Sequence, residues 1–391
     1  MYLCPEKIIH NPFISFNIYI KTGEIFYLEM KEYRIIGLMS GTSLDGLDIA
    51  YVRFYGSYEH PEYEILHAEC VPYDAGWREK LRGAYYLTAE GITALDAEYG
   101  RFLGTTVRNF AERYAISGKV DFVASHGHTV FHRPDLGYNL QIGNGAWLHA
   151  VSGLKVICDF RTPDIAFGGQ GAPLVPIGDK LLFGKYDYCL NIGGFANVSF
   201  DDDSGRRIAY DLCPANYCLN RLMRALGQEY DKDGLVARSG KVNAKLFDAL
   251  NALAYYRLPA PKSLSQEWVD AELMPLVDAC DDTPENKAAT LTEHTAFQIA
   301  RPFKDGGSVL VTGGGAYNTF LSERILTYKH FTWVKPAPAI IDFKEAIIFA
   351  FLGLRRATGL PNCLKTVTGA LHDTVSGQMY GFNCIESPLH K

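Results

Sequence analysis

A chain of 391 residues, 48% apolar and 21% charged, has the balance of a soluble globular protein and the length for two domains. Its net charge of −6 gives no basic footprint for nucleic acid or an anionic membrane. Nine cysteines without a C-x-x-C pair, and no run of 18 apolar residues, argue against a disulfide framework and a membrane span and for reduced thiols in a cytoplasmic protein.

Residues 1–33 leave two readings open. The stretch NPFISFNIYIKTGEIFYLEM is apolar but broken by Asn11, Asn17 and Lys21, and lacks the basic and apolar regions of a secretory signal. It is either an added strand pair or a product of start-site choice, with Met30 just before the first clear strand.

From residue 34 the pattern is regular. RIIGLM (34–39) predicts a buried strand, SGTSLDG a Gly-rich turn, and LDIAYVRFYG (47–56) and YEILHAECV (63–71) two further strands. Apolar residues at Ile92, Leu95, Tyr99, Leu103, Val107, Phe110 and Tyr114 predict an amphipathic helix within 75–115. VDFVASHG (120–127) and LKVICDFR (154–161) predict strands, and between them LQIGNGAWLHAVSG (140–153) is a Gly turn opening a helix. The second half repeats the theme. YDYCLNIGGFANVSF (186–200) is strand, Gly turn, strand; RRIAYDL (206–212) is a third strand; SVLVTGGGAYN (308–318) is a strand opening into three glycines; EAIIFAFLGLRRA (345–357) is an apolar helix.

A repeated unit of strand, Gly-polar turn, two strands and helices implies an internal duplication: two α/β lobes, with a cleft between them suited to a nucleoside triphosphate. The expected boundaries are an N-terminal extension (1–33), lobe I (34–183), lobe II (184–365) and a C-terminal segment (366–391) that returns to lobe I. Neither GxxxxGK[ST] nor GxGxxG is present, so the phosphate would be held differently. In the first turn, backbone amides, the hydroxyls of Thr42 and Ser43 and the carboxylate of Asp45 form a set suited to Mg²⁺-phosphate.

Three other stretches carry chemistry. CDFRTPDIAFGGQGAPLVPIGD (158–179) sets Asp159 at a strand end, then Arg161, Asp164 and a Gly loop; the guanidinium either holds a substrate carboxylate or hydroxyls or forms an Asp–Arg pair that braces the loop. Asp211 ends an apolar strand before a Pro turn, as a general base aimed at the cleft or as an Asx-type turn residue. His126, His128 and His132 invite a metal; 126 and 128 would share a strand face, but further ligands at proper spacing are missing, so substrate contact or hydrogen bonding is the better reading.

GLMSGTSLDGLDIA, ASHGHTVFHRP, QIGNGAWLHAVSG, DFRTPDIAFGGQGAPLVP, LNIGGFANVSF, YDKDGLVARSG and VTGGGAYN occur in the order found in anhydro-N-acetylmuramic acid kinases, from about residue 34 to about 375. The chain thus resembles that family. The resemblance implies two duplicated actin-like (ribonuclease H-like) lobes, each a mixed sheet flanked by helices, of the sugar kinase, Hsp70 and actin superfamily. It implies an enzyme that uses ATP and water to turn 1,6-anhydro-N-acetylmuramic acid into N-acetylmuramic acid 6-phosphate, in recycling of the bacterial cell wall, and a cytoplasmic homodimer.

The resemblance also implies site residues. Asp211 matches the catalytic aspartate, with Asp159 the alternative. Gly41, Thr42, Ser43, Leu44, Asp45, Gly46, Leu47 and Asp48 would hold phosphate and metal, Asp45 being the Mg²⁺ ligand. Asn191, Gly193, Gly194 and Asn197 match the second phosphate turn, and Gly313, Gly314 and Gly315 the adenosine end. His126, Gly127, Gln141, Arg161, Asp164, Gly169, Gln170, Gly171 and Glu345 would meet the sugar. Two departures stand out. The family's D-T-G-P-G-N is Asp211-Leu-Cys-Pro-Ala-Asn216 here, and Cys213 and Ala215 tolerate positive φ poorly. A glutamine often seen after SHG is His128. The rival readings are a kinase of an ordinary sugar hydroxyl and a nucleotide-dependent binding protein.

Overall fold

The computed structural model describes residues 31–41 and 44–382, and the backbone of three earlier strands: Ile8–His10 (β1), Asn17–Lys21 (β2) and Glu24–Phe26 (β3). These three form an antiparallel sheet of their own. The choice between the two readings of residues 1–33 otherwise lies outside the described residues.

The chain divides into two compact units, residues 1–182 with 345–391, and residues 183–344. The return to the first unit falls at Glu345, inside the helix Pro338–Ala357, earlier than the residue 366 expected from the sequence pattern. Packing accounts for this. Ala346, Ile347, Ile348, Ala350 and Leu352 are fully buried, and the helix lies so close to Gly37 that a Cβ there would sit 1.9 Å from the Ala346 carbonyl oxygen.

Unit 1 is built on the strands Tyr33–Ser40 (β4), Gly46–Gly56 (β5), Pro61–Pro72 (β6) and Phe122–Ser125 (β7). A small hairpin follows, His128–Arg133 (β8) and Tyr138–Ile142 (β9), and then Val156–Cys158 (β10). The main sheet runs β10-β7-β4-β5-β6, with β4, β5 and β6 antiparallel and β7 and β10 parallel to β4; the late strand Gln378–Tyr380 adds antiparallel to β10. The expected helix appears as two, Ala75–Gly83 and Ala89–Arg113, each opened by a side-chain cap: Asp74 accepts from Trp77 N–H and Thr88 from Gly91 N–H. Leu95, Tyr99, Leu103, Val107 and Phe110 of the second helix pack on Ile36, Leu38 and Ile49 of the sheet.

Unit 2 repeats the plan with Tyr188–Ile192 (β11), Phe195–Asp201 (β12), Arg207–Pro214 (β13), Ser308–Thr312 (β14) and Thr332–Val334 (β15). Its order is β13-β12-β11-β14-β15, again three antiparallel strands followed by two in parallel. The helix Pro284–Ala300 lays Ala296, Ile299 and Ala300 against Leu190, Ile192, Val309 and Val311. The duplication read from the sequence is therefore a repeated sheet topology. In both units the first hairpin ends in a Gly-rich turn.

Candidate active site

In unit 2, strand register sets four polar residues in one row. Asp211 on β13 stands opposite Asn197 on β12, Asn197 opposite Asn191 on β11, and Asn191 beside Thr312 on β14. Residues paired across strands share a face, so these side chains lie side by side. A bulge at Ala196/Asn197 puts Asp211, not Leu212, in register with Asn197.

The Asp211 carboxylate is held from a distant part of the chain. Its Oδ2 accepts the Leu264 N–H at 2.8 Å. Its own N–H donates to the Lys262 carbonyl at 3.1 Å, and its carbonyl accepts the Tyr255 hydroxyl at 2.6 Å. The Asx-turn alternative is thereby set aside. Burial pushes the carboxyl above the ordinary carboxylate range, partly offset by the Leu264 N–H. That is the direction a general base working near neutrality needs.

Beyond the row the backbone is open. A Cβ on Gly193, Gly194 or Gly314 would meet nothing closer than 3.6, 3.8 and 4.0 Å respectively. Gly313 and Gly315 are glycines for a different reason: a Cβ would come 2.7 Å from Asn191 Oδ1 at the first (φ +81°) and 2.2 Å from Ile192 Cγ2 at the second. The altered turn after Asp211 needs no left-handed residue. Ala215 has φ −126°, and Cys213 is not among the positive-φ residues.

In unit 1 the β4–β5 hairpin carries the first turn. Thr42 and Ser43 lie outside the described residues. Asp45 is exposed, and Leu44 sits at φ +60° with its side chain on the core. Leu47, expected among the phosphate-holding residues, is 1% exposed and belongs to the core, so only its backbone faces the turn. Gly46 is forced by crowding, since a Cβ would lie 2.6 Å from the Val71 carbonyl oxygen. Asp48 lies in the ladder between Met39 and Cys70. Tyr73 ties both limbs of the turn. Its N–H donates to the Asp45 carbonyl at 3.2 Å and its hydroxyl to Ser40 Oγ at 2.8 Å. Ser40 Oγ in turn lies 3.0 Å from His128 Nδ1.

The expectation that His126 and His128 share a strand face is corrected. Gly127, at φ +71°, separates β7 from β8, and the two rings meet different partners. His126 is 5% exposed. Its Nδ1 lies 2.9 Å from the Gly127 carbonyl, so that nitrogen carries the proton and Nε2 is the acceptor. Nε2 is approached by Arg161 Nη2 at 3.0 Å and Gln141 Nε2 at 3.2 Å. Burial first, then Arg161 beside it, pushes His126 down to about 3. Arg161 Nη1 donates to the Gly171 carbonyl at 2.8 Å. Burial lowers Arg161 to about 10, which leaves it cationic, and Glu345 opposes the shift.

Next to this pair is a pocket of about 200 Å³, lined by His126, Gln141, Asn139, Asp159, Asp96 and Tyr380 among others. Asn139 Oδ1, Gln141 Oε1 and Arg161 Nε are buried with no partner among the described residues. Buried polar atoms are rarely left unmatched, and these point to a polar ligand.

Asp159 sits at φ +55°; its carboxylate accepts from Thr162 N–H and Oγ1 and from Gln378 Nε2, and not from Arg161. The Asp159–Arg161 brace is therefore not formed. Asp164 corrects a second expectation. It is fully buried and accepts from Gly171 N–H at 2.8 Å and Thr368 Oγ1 at 2.9 Å, so it staples the Gly loop instead of facing a sugar. Gly169 packs against it, where a Cβ would lie 2.2 Å from Oδ2, while Gln170 is exposed. Asp96, Asn139 and Asn144 went unread in the sequence. Asp96 accepts from Gly143 N–H and Asn144 Nδ2, and Asn144 caps the helix Gly145–Ser152. The run Gly143-Asn144-Gly145 was the available signal for the cap; helix periodicity carried none for Asp96.

Two sheets of one topology, each with a Gly-rich hairpin turn, define the actin-like, ribonuclease H-like fold class. Within it, residues 33–381 match the anhydro-N-acetylmuramic acid kinase family, and the chain belongs to that family. It is 36% identical over 364 residues to the anhydro-N-acetylmuramic acid kinase of Gloeobacter violaceus, covering 86% of this chain and 95% of the relative. It is 34% identical over 371 residues to that of Shewanella sp. strain MR-7, covering 89% and 98%. Among solved structures, the activator of the 2-hydroxyisocaproyl-CoA dehydratase from Clostridium difficile with bound ADPNP aligns with a TM-score of 0.37 at 14% identity, over 83% of this chain and 96% of its own.

Proposed function

We propose that the protein is an ATP-dependent kinase that hydrolytically opens 1,6-anhydro-N-acetylmuramic acid and phosphorylates O6, giving N-acetylmuramic acid 6-phosphate and ADP. Family membership sets the reaction, and the half-buried, up-shifted Asp211 is the observation that supports its mechanism. The anhydro sugar has no free 6-hydroxyl, because O6 is bonded to the anomeric carbon. Asp211 takes a proton from water, the water oxygen bonds to the anomeric carbon, and the C1–O6 bond breaks. O6 then bonds to the γ-phosphorus as ADP leaves.

Asn191, Asn197 and the open backbone at Gly193, Gly194 and Gly314 are the groups of unit 2 suited to phosphate oxygens. Gly313 and Gly315 belong to the adenosine end. Gly41 to Asp48, Thr42 and Ser43 included, are the phosphate-holding hairpin of unit 1. The exposed carboxylate of Asp45 is the hard oxygen donor that Mg²⁺ takes while keeping several waters, and the ion, when bound, offsets charge on the transferring phosphoryl group. Arg161, oriented by His126 and Gln141, binds sugar oxygens, with Glu345 its electrostatic neighbour. Asp159 is the alternative base.

Among the described residues no helix is long and apolar enough to cross a membrane. The reading extends to a cytoplasmic homodimer acting in cell-wall recycling. The decisive experiment is ADP release with ATP, Mg²⁺ and the anhydro sugar, the product being weighed by mass spectrometry. Added phosphate plus added water supports the reading. Added phosphate alone makes it an ordinary hydroxyl kinase.

A further inference from the structure

Tyr210 and Leu212, the two neighbours of Asp211, line a pocket of about 330 Å³ within unit 2. Its other walls include Tyr256, Leu258, Lys262 and Arg301. Two cations share this pocket, no acid lines it, and neither cation has an ion-pair partner among the described residues. Among the described residues Lys262 Nζ donates only to the Tyr255 carbonyl, at 3.2 Å, and it lies over the Tyr255 ring at 4.6 Å. Its ammonium is pushed below its usual range by burial and then by Arg301. Two like charges facing one concavity without a counter-ion are an anion site in the making.

The positive wall is also built. Arg301 Nη1 donates to Gln298 Oε1 at 3.0 Å and to the Tyr256 carbonyl at 3.3 Å. Gln298 Nε2 donates to Asn251 Oδ1 at 2.7 Å. The same oxygen lies 2.9 Å from Nδ1 of His294, which is 1% exposed. Asn251 Oδ1 can only accept, so His294 is protonated at Nδ1, and its Nε2 accepts the Tyr256 hydroxyl at 2.8 Å. Every member of this network is neutral. It aims the guanidinium without cancelling its charge, as a second shell does for a ligand site.

The same segment forms the support of Asp211. The Lys262 carbonyl, the Leu264 N–H and the Tyr255 hydroxyl make the three hydrogen bonds that hold that residue. We propose that the Lys262–Arg301 pocket binds a small phosphate-bearing anion, and that occupancy shifts Asp211 and so changes turnover. The volume is at the low end for organic ligands, enough for a phosphate head with a small body against Tyr210, Tyr256 and Leu258. The coupling half rests on Asp211 being the base in the reaction proposed above.

Trp268 reports on this pocket. Its ring lies 5.3 Å from that of Tyr255 and 6.4 Å from that of Tyr256. Inorganic phosphate is titrated into the full chain while tryptophan fluorescence is followed. A saturable change is expected, lost in Trp268→Phe and shifted to roughly tenfold higher phosphate or more in Arg301→Gln and in Lys262→Met, the scale of one lost charged hydrogen bond. At saturating ATP, where competition for the nucleotide site is suppressed, phosphate should change kcat about twofold or more in wild type and leave Arg301→Gln unmoved. No saturable change, or equal affinity in wild type and both variants, overturns the site. Binding without any effect on kcat overturns the coupling. Failure of wild type to release ADP with the anhydro sugar at any phosphate concentration removes the kinase reading and the coupling with it, while fluorescence still decides the anion site.

Discussion

His126→Leu tests how the proposed sugar site is built. The side chain is 5% exposed, and its Nε2 is the acceptor for both Arg161 Nη2 and Gln141 Nε2. Leucine has similar bulk and no acceptor, so Arg161 Nη2 loses its partner, while Gln141 Nε2 keeps only the residue-126 carbonyl at 3.4 Å. Arg161 already has one buried donor unmatched, Nε, and would keep only its bond to the Gly171 carbonyl. A hydrogen bond to a charged group contributes about 1.5–3 kcal/mol and a neutral one about 1 kcal/mol. The Arg161 share, expressed as lost orientation toward the sugar, corresponds to roughly 10- to 150-fold in KM for the anhydro sugar. KM for ATP should stay within about twofold if the loss is confined to this cluster. His126→Gln, which keeps an acceptor, should recover most of the loss. Steady-state kinetics with each substrate varied in turn reads these values, and thermal melting separates a folding defect from a binding defect. A folded His126→Leu enzyme with an unchanged sugar KM would refute the role given to His126. So would a break near pH 6.5 in wild-type sugar KM assigned to this ring, since a group lowered to about 3 stays neutral there.

Asp211→Asn should keep the fold and ATP binding but lose roughly 10²–10⁴ in kcat, and near-normal turnover would transfer the base role to Asp159. Because burial raises Asp211, the acid limb of the kcat profile should lie above the ordinary carboxylate range; a limb at or below about 4 contradicts this. Acid stability follows from three buried histidines: His126 lowered to about 3, His128 to about 4 and His294 to about 3. Between these values and about 6.5 the unfolded chain binds more protons than the folded one, so stability falls as pH drops through that window. Melting temperature should decline from pH 7 to 5, and a flat profile would count against neutral burial. Gly127→Ala should cost about 2 kcal/mol or more, because φ is +71° and the new Cβ would lie 2.5 Å from the Ile142 carbonyl oxygen; urea unfolding measures it. Asp45→Asn should raise the Mg²⁺ concentration needed for half-maximal turnover, and an unchanged metal dependence removes Asp45 as ligand.

Strand and helix positions were legible because their signals are local. The β4–β5 hairpin shows as two apolar runs around SGTSLDG, and the helix Ala89–Arg113 as apolar residues every three or four positions. The sheet order was legible only through the repetition of that pattern, since pairing of β7 beside β4 joins residues far apart in sequence. Roles set by long-range contacts stayed hidden. Asp164 reads as a polar loop residue, yet Thr368, some two hundred residues later, turns its carboxylate inward. Asp96 looks like the polar face of a helix and instead receives the Gly143 N–H. Arg161 was found by its neighbours in sequence, but its partner was His126 and not Asp159. Leu47 entered the phosphate set through the family resemblance, and its side chain packs in the core.

The turn after Asp211 shows why cysteine and alanine, where the family pattern has glycines, need not displace the proposed base. If the turn positioned Asp211, its backbone freedom would matter, and cysteine and alanine would be poor replacements. The hydrogen bonds run otherwise. The amides of Ala215, Asn216 and Tyr217 donate to the carbonyls of Gly193 and Gly194, so the neighbouring hairpin holds the turn. Cys213 and Ala215 are buried and add packing that glycine would lack, with the Cys213 thiol directed at the Thr295 carbonyl. Asp211 is fixed from outside, by Leu264, Lys262 and Tyr255. The glycines of the Gly193–Gly194 turn carry the open backbone in this region. The departure thus falls on a stretch whose conformation is set by its neighbours.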